Sequence, residues 1–394
     1  MKILFECSGI VPGKHCGIEN FIYSLVRGFN SSCQSDEIYM NINPGLKTEF
    51  NKVLPEARVV YLEDFKQSHN QKIYTNNWLV NYFVRGMRRL GLKSIISGFD
   101  VPRNEWCKQC EEAVDVIFYP FWMESFYFKK PVVMVIHDFR HFTHGKNVDK
   151  NVKIIKEHPA YCLVTSWPDP YQHMLELFPE RKSTSFMIPF QFEPMPKEDE
   201  ISKYQIPRLF IYASSNGADK NHENLILALG ILKKRGIEPV RVICPGTQIA
   251  ERAKVLDELI RKEDVSDWIQ FLGFVPREHV KWLYSICFGV ITTTKYEAFS
   301  GTVMEAFQYA KPVACSRIPS LTSVIDTNDI AVRYFDPDNS EEIADAITEV
   351  IENPEPYKKG ALHARRVFSK ITPETTALKY RDVFVLACSK AYIQ

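Results

Sequence analysis

A chain of 394 residues is too long for one ordinary core and suits two domains of roughly 150–200 residues each. Its 49 Lys and Arg against 48 Asp and Glu leave a net charge of +1, which excludes broad electrostatic binding of nucleic acid. With 45% hydrophobic and 25% charged residues it is an ordinary globular protein rather than a disordered one.

The opening MKILFECSGIVPG holds a strand-length apolar run without the long apolar core of a leader, and no later stretch approaches the ~18 apolar residues of a membrane span. A cytoplasmic protein is expected, with any membrane contact peripheral and on the inner face. The ten cysteines are scattered, several within apparent strands, as reduced thiols are. Only CKQC (Cys107, Cys110) has metal or redox spacing, and without a second ligand pair it reads as structural. The sequon Asn30-Ser31-Ser32 reads as a loop accident.

Short runs rich in Val, Ile and Phe alternate with amphipathic helical stretches, the pattern of βαβ units and parallel sheets. In the first half, strands are expected at 2–6, 58–62, 115–119, 132–136 and 162–165. After the first, Gly9, Gly13 and Gly17 fall four apart, which fails the GxGxxG fingerprint and disfavours a nicotinamide dinucleotide. Gly17 opens an amphipathic helix on Ile18, Phe21, Ile22, Leu25 and Val26 and presents bare amides toward a cleft. The segment 78–96 reads as an amphipathic helix whose aromatics and Arg85, Arg88, Arg89 and Lys93 also suit a membrane surface.

The strand at 132–136 ends in His137 and Asp138, with Arg140, His141, His144 and Lys146 following. No HxxxH pair on a helix and no acidic ligand accompanies the histidines, so a metal is not expected. Their place at a strand end marks His137 and Asp138, with Arg140, as ligand contacts.

Prolines and an acidic run break the alternation at 187–207, the expected linker. A second alternation follows, with strands at 208–213, 240–244, 269–272, 288–292 and 312–315 and helices between them, one of them over 221–235, then a helix near 340–352 and a last one opening at Thr372-Pro373. Each half therefore reads as a doubly wound sheet, with a cleft between.

The strand at 288–292 runs into TTKYEAFSG, which places Glu297 in a loop and Glu305 in the first turns of a helix from about 301. The amides of Ser300, Gly301 and Thr302 point from the positive end of that helix, and Gly301 puts no Cβ in the way of a phosphate. Carboxylates beside such a spot pair with the hydroxyls of a ribose and a sugar, so the element suits a nucleotide-sugar. A helix-dipole role for Glu305 and a solvated Glu297 would serve the spacing as well. In YASSNGADKNHENL a second strand, polar loop and helix set Lys220 where it can neutralise a diphosphate, although the loop alone would suit a capped helix with a surface lysine as well. Asp336 and Asp338 imitate a metal-binding DxD, but before the helix at 340–352 they read as turn and N-cap.

Taken in order, CGIENFIYSL, IHD, LVTSW, DKNHENLILAL, FLGFVPREHVKWLY, EAFSGTVMEAFQYAKPVACS and FDPDNSEEIADAI resemble the pieces of glycosyltransferase family 4, the retaining group 1 enzymes of GT-B fold, over nearly the whole chain. The resemblance implies an N-terminal acceptor-side Rossmann-like domain over 1–190, a nucleotide-sugar-binding one over 191–372, and a helix over 373–394 that crosses back. It implies Glu305 on the ribose and Glu297 on the donor sugar. Lys220 and the amides of Ser300, Gly301 and Thr302 would hold the diphosphate, and Gly17 would approach it from the first domain. His137 would lie beside the transferring sugar. Gly273, Phe274 and Val275 would hold the base through backbone atoms, which leaves UDP- and GDP-sugars both open.

Two departures stand out. Ser214 replaces an Arg common six residues before the Lys, with Arg140 or Lys295 as candidate substitutes, and Ala298 and Ser300 replace the glycines of E-G-F-G. The reaction implied is transfer of a sugar to a hydroxyl of a glycan or lipid-linked acceptor with no cofactor and no metal, the leaving diphosphate held by Lys220 and helix termini. A catalytically silent nucleotide-sugar-binding subunit and a nucleotide-sugar epimerase or hydrolase are the competing readings.

Overall fold

The computed structural model describes residues 1–10, 16–42, 44–62, 111–122, 130–143, 148–156, 160–191 and 195–391. The segment 78–96, the CKQC pair, Gly13, His144, Lys146 and the side chain of His141 lie outside the described residues. The chain forms two compact units, one of Met1–Thr165, Met174–Phe190 and Pro373–Gln394, the other of Ser166–His173 and Gln191–Thr372.

In chain order the first unit runs β1 (Lys2–Cys7), α1 (Cys16–Ser32), β2 (Glu37–Ile42), α2 (Pro44–Val53), β3 (Val59–Tyr61), β4 (Val116–Tyr119), β5 (Val132–Val135), α3 (Arg140–Thr143), α4 (Val148–Lys156) and β6 (Cys162–Thr165). Next come α5 (Pro168–Leu177), which is divided between the two units, and β7 (Ser185–Met187). The strands make one parallel sheet in the order β3-β2-β1-β4-β5-β6-β7. Its central strands are buried on both faces, as a parallel sheet covered by helices requires. The strands β2 and β7 escape the sequence pattern because each mixes polar and apolar residues, EIYMNI and SFM.

The second unit runs β8 (Leu209–Ile211), α6 (His222–Lys234), β9 (Arg241–Pro245), α7 (Ala250–Glu263), β10 (Ile269–Gly273), α8 (Arg277–Ile286), β11 (Gly289–Thr292), α9 (Gly301–Gln308), β12 (Val313–Ser316), α10 (Pro319–Ile325), β13 (Arg333–Phe335), α11 (Ser340–Glu352) and α12 (Glu355–Phe368). Its parallel sheet has the order β10-β9-β8-β11-β12-β13, so the chain winds outward from β8 one way and from β11 the other. Alternate residues of β8 feed different cores: Phe210 joins Leu225, Leu229, Val242 and Ile347, while Leu209 and Ile211 join Val290, Val303, Phe307 and Phe368. Lys311 is fully buried and donates to the carbonyls of Ser285 (2.9 Å) and Cys287 (3.0 Å), satisfying oxygens at the end of α8.

The last helix, α13 (Pro373–Ala391), belongs to the first unit. It lies on α1, where a Cβ at Gly28 would collide with the carbonyl of Pro373, and its Tyr380 and Phe384 join Phe21, Phe29 and Phe118 in one aromatic cluster. Val383 and Ala387 are buried there, while Leu378 is exposed. The sequon is not in a loop: Asn30 and Ser31 lie at the end of α1, where the Asn30 amide donates to the carbonyl of Val26 (2.9 Å). Among the described residues no helix is long and apolar enough to cross a membrane. The described cysteines carry no disulfide.

At the carboxyl end of β1, Glu6 is fully buried opposite Asn41 of β2, whose amide donates to it (2.7 Å), and it also accepts from the Ser8 N–H (3.1 Å) and the Ser8 hydroxyl. Burial outweighs these bonds and lifts its carboxyl from 4.5 to about 7. The folded unit therefore keeps a proton that the unfolded chain releases between those values, and stability falls as pH rises from about 4.5 through about 7, by up to ~3 kcal/mol. Glu6→Gln should flatten that dependence, raising the melting temperature at pH 8 relative to wild type and much less at pH 5. Thermal melts at the two pH values check this, and equal pH sensitivity in the two proteins would contradict it.

Candidate active site

The winding of the second sheet reverses between β8 and β11, so the loops after these two strands leave its carboxyl edge side by side. An open α/β sheet offers its ligand crevice at such a place. Here the two loops are tied together. The Thr293 hydroxyl lies 3.1 Å from the carbonyl of Lys220 and 3.0 Å from that of Asn221, and the Thr294 hydroxyl donates to the carbonyl of Asp219 (3.1 Å). The N–H of Lys295 donates to the same Asp219 carbonyl (2.8 Å), and Tyr212 donates its phenol to that of Lys220 (2.8 Å). Asn221, left-handed at φ 57°, returns the tie with its amide on the carbonyls of Thr293 (3.0 Å) and Pro337 (2.7 Å). Asn is among the few side chains that take this conformation readily.

This lock brings Lys220 onto Glu297. The ammonium lies 2.5 Å from Glu297 Oε1 and 3.3 Å from Asp219 Oδ2, with Lys220 and Glu297 only 18% and 20% exposed. Burial raises the Glu297 carboxyl while the adjacent ammonium pulls it back, and the carboxylates of Glu297 and Asp219 outweigh the burial of Lys220 and hold it charged. Phe299 fixes the rest of the loop: it is buried against Trp167 (4.4 Å between ring centroids) and Phe368 (6.1 Å). Neither aromatic anchor is marked by spacing, because Trp167 and Phe368 come from distant parts of the chain.

Ser300 is the N-cap of α9 and makes no side-chain cap bond, and the Thr302 hydroxyl donates to the carbonyl of Ala213 at the end of β8 (2.6 Å). The first turn of α9, with Ser300, Gly301 and Thr302, thus faces the β8 loop. Glu305 follows one turn later, nearly buried, in an ion pair with Arg277 of α8 (2.5 Å). Arg277 is a site residue that the sequence reading missed. At the edge of the sheet Gly273 takes φ +70° and its carbonyl accepts from the N–H of Gly246 (2.9 Å), while Phe274 is 76% exposed and Val275 is half-buried.

In the first unit, Gly17 is exposed in the opening turn of α1. His137 is half-buried after β5, in edge contact with Phe21 (5.0 Å), and its Nε2 lies 2.8 Å from the carbonyl of Pro120. A carbonyl only accepts, so Nε2 carries the proton and Nδ1 is an acceptor. Burial lowers its pKa, which keeps the ring neutral. Asp138 is exposed and accepts from the N–H of Arg140 (3.1 Å), the first residue of α3.

Lys295 is engaged by Asp338, across the loop that precedes α11. The DxD look-alike serves that loop: Asp336 accepts from the N–H of Asp338 (2.9 Å), but Asn339, not Asp338, caps α11 by accepting from Glu341 and Glu342.

Residues 196–367 match the family model described as "Glycosyl transferases group 1". Over 83 residues the chain is 32% identical to O-antigen chain mannosyltransferase B of Escherichia coli, an alignment spanning 19% of this chain and 22% of that protein. O-antigen chain mannosyltransferase C of Escherichia coli is 20% identical over 397 residues, 94% of each chain. A crystal structure of Anabaena HepE in complex with UDP and glucose matches with a TM-score of 0.70 at 18% identity, over 98% of this chain and 99% of that one.

Removing one member of a buried charge pair strands the other, so Lys220→Met and Glu297→Gln should each destabilise the second unit by ~1–3 kcal/mol, with the double substitution costing less than the sum. Thermal or urea melts of the two single variants and the double variant check this. Strict additivity would show that the pair is not coupled.

Proposed function

Because residues 196–367 form a group 1 glycosyltransferase domain within a chain of GT-B fold, we propose that the protein moves a sugar from a UDP- or GDP-sugar to a hydroxyl of a glycan or lipid-linked acceptor, with retention and without a metal. The observation that carries this is the assembly of Lys220, Glu297 and the first turn of α9 at the switch point between β8 and β11. A nucleoside diphosphate brings to such a place the anion that a lysine and a helix N-terminus are built to receive. The names of the similar proteins, two mannosyltransferases and a UDP-bound structure, support the same donor class.

In this proposal Glu305 accepts from the ribose hydroxyls and Glu297 from hydroxyls of the donor sugar. Lys220 and the amides of Ser300, Gly301 and Thr302 hold the diphosphate, and backbone groups of Gly273, Phe274 and Val275 hold the base. As the glycosidic bond breaks, negative charge builds on the diphosphate, and Lys220 with the α9 amides stabilises it electrostatically. The acceptor hydroxyl attacks on the face that the leaving group vacates. Of the first unit, Gly17 is assigned to the diphosphate, and His137, Asp138 and Arg140 to the sugar and acceptor side. The neutral His137, with Nδ1 as an acceptor, suits a hydroxyl donor there.

Lys220→Ala and Glu305→Ala should each lower sugar transfer in EDTA by ~10²–10³-fold, while circular dichroism shows a folded chain. Full activity in both variants would overturn the proposal. The second reading, a subunit that binds donor without turning it over, is favoured by Ser214 in place of an arginine. It predicts that UDP or GDP raises the melting temperature while no transfer is detected with any acceptor extract.

A further inference from the structure

In the reading above Lys220 is the only cation on the diphosphate, and its charge is already shared with Glu297 and Asp219. Ser214 contributes a hydroxyl and no charge, its oxygen lying 3.4 Å from His222 Nε2. The neighbouring β9–α7 connection, however, is fastened onto the same loop. Gly246, at φ +154°, passes so close to the carbonyl of Ser214 that any Cβ there would collide with it. Asn216 donates its amide to the carbonyl of Ile249 (3.2 Å) and accepts from the Ile249 N–H (2.7 Å), and its own N–H reaches the carbonyl of Thr247 (3.3 Å). These bonds fix the start of α7 against residues 214–216.

Arg252, in the first turn of α7, is the charged group this arrangement delivers. Its Nε donates to the carbonyl of Asn216 (3.5 Å), and its Nη2 pairs with Glu223 at the start of α6. Arg252 and Glu223 are 23% and 31% exposed, so the pair is open to a ligand. The first turn of α9 grips Ala213 from one side, Lys220 closes the loop at the other end, and Arg252 holds Asn216 between them. His222 senses both cations: burial and then the charges of Arg252 and Lys220 push its pKa down to about 3, so the ring stays neutral and adds no charge of its own. A guanidinium also presents a planar fork that matches two phosphate oxygens, which an ammonium does not.

We propose that Arg252 is a donor-binding residue, the second cation on the diphosphate, delivered from the neighbouring helix. The inference rests on the donor-site reading of Lys220 and the α9 terminus. It is tested by calorimetric titration of UDP, UMP, GDP and GMP, in EDTA, into the full-length wild type and the variants Arg252→Ala, Arg252→Lys and Lys220→Ala. Arg252→Ala should weaken the bound diphosphate by ~10–100-fold and the corresponding monophosphate by less than about threefold, with Arg252→Lys in between. Unchanged diphosphate affinity in Arg252→Ala, alongside loss in Lys220→Ala, would overturn the role of Arg252 and leave the donor site standing. Equal weakening of diphosphate and monophosphate would overturn it too, by showing that Arg252 acts only on the scaffold. Unchanged affinity in both alanine variants, or no binding of any of the four nucleotides to wild type, would overturn the donor-site reading and the inference with it.

Discussion

The hydrogen bonds that fasten the loop after β8 to the loop after β11 are the constraint on which the rest of the second unit depends. Thr293 and Thr294 donate to the carbonyls of Asn221, Lys220 and Asp219 across the seam, and the left-handed Asn221 returns one bond to the carbonyl of Thr293 and sends another to that of Pro337, after β13. Without the seam, Lys220 and Glu297 would sit on independent loops and the charge pair would have no fixed geometry. With it, two carboxylates eight positions apart in sequence acquire different partners: Glu297 meets Lys220, and Glu305 meets Arg277.

Every charged group prominent at this edge is already answered by another. Lys220 is paired with Glu297 and Asp219, Arg277 with Glu305, Arg252 with Glu223 and Lys295 with Asp338. Partly buried ions left alone are costly, so pairing them keeps the unliganded unit stable. The same pairs are exchangeable. Under the proposed function a diphosphate would take the place of a carboxylate on a cation, and a hydroxyl the place of a cation on a carboxylate.

What the sequence made legible follows from how local each feature is. The alternation of strands and helices gave the α/β architecture, and the strand–loop–helix runs around Lys220 and Glu297 placed both at sheet edges because each run is contiguous. β2, β7 and β13 were not legible, since EIYMNI, SFM and RYF each mix polar with apolar residues, whereas the equally short β3 and β8 are wholly apolar. Arg277 and Arg252 were not legible either. They reach the site from α8 and α7, and only the sheet order brings those helices to the loops they serve. The anchoring of Phe299 was not legible, because its burial against Trp167 depends on a contact between residues far apart in the chain.

Hydrogen exchange of the full-length chain, with UDP or GDP at saturation in EDTA, tests the central claim most directly. The account predicts that the binding nucleotide slows exchange in 214–221 and 293–302 together, because the two loops act as one ligand edge. Saturation with protection absent from these segments, or confined to one of them, would contradict it.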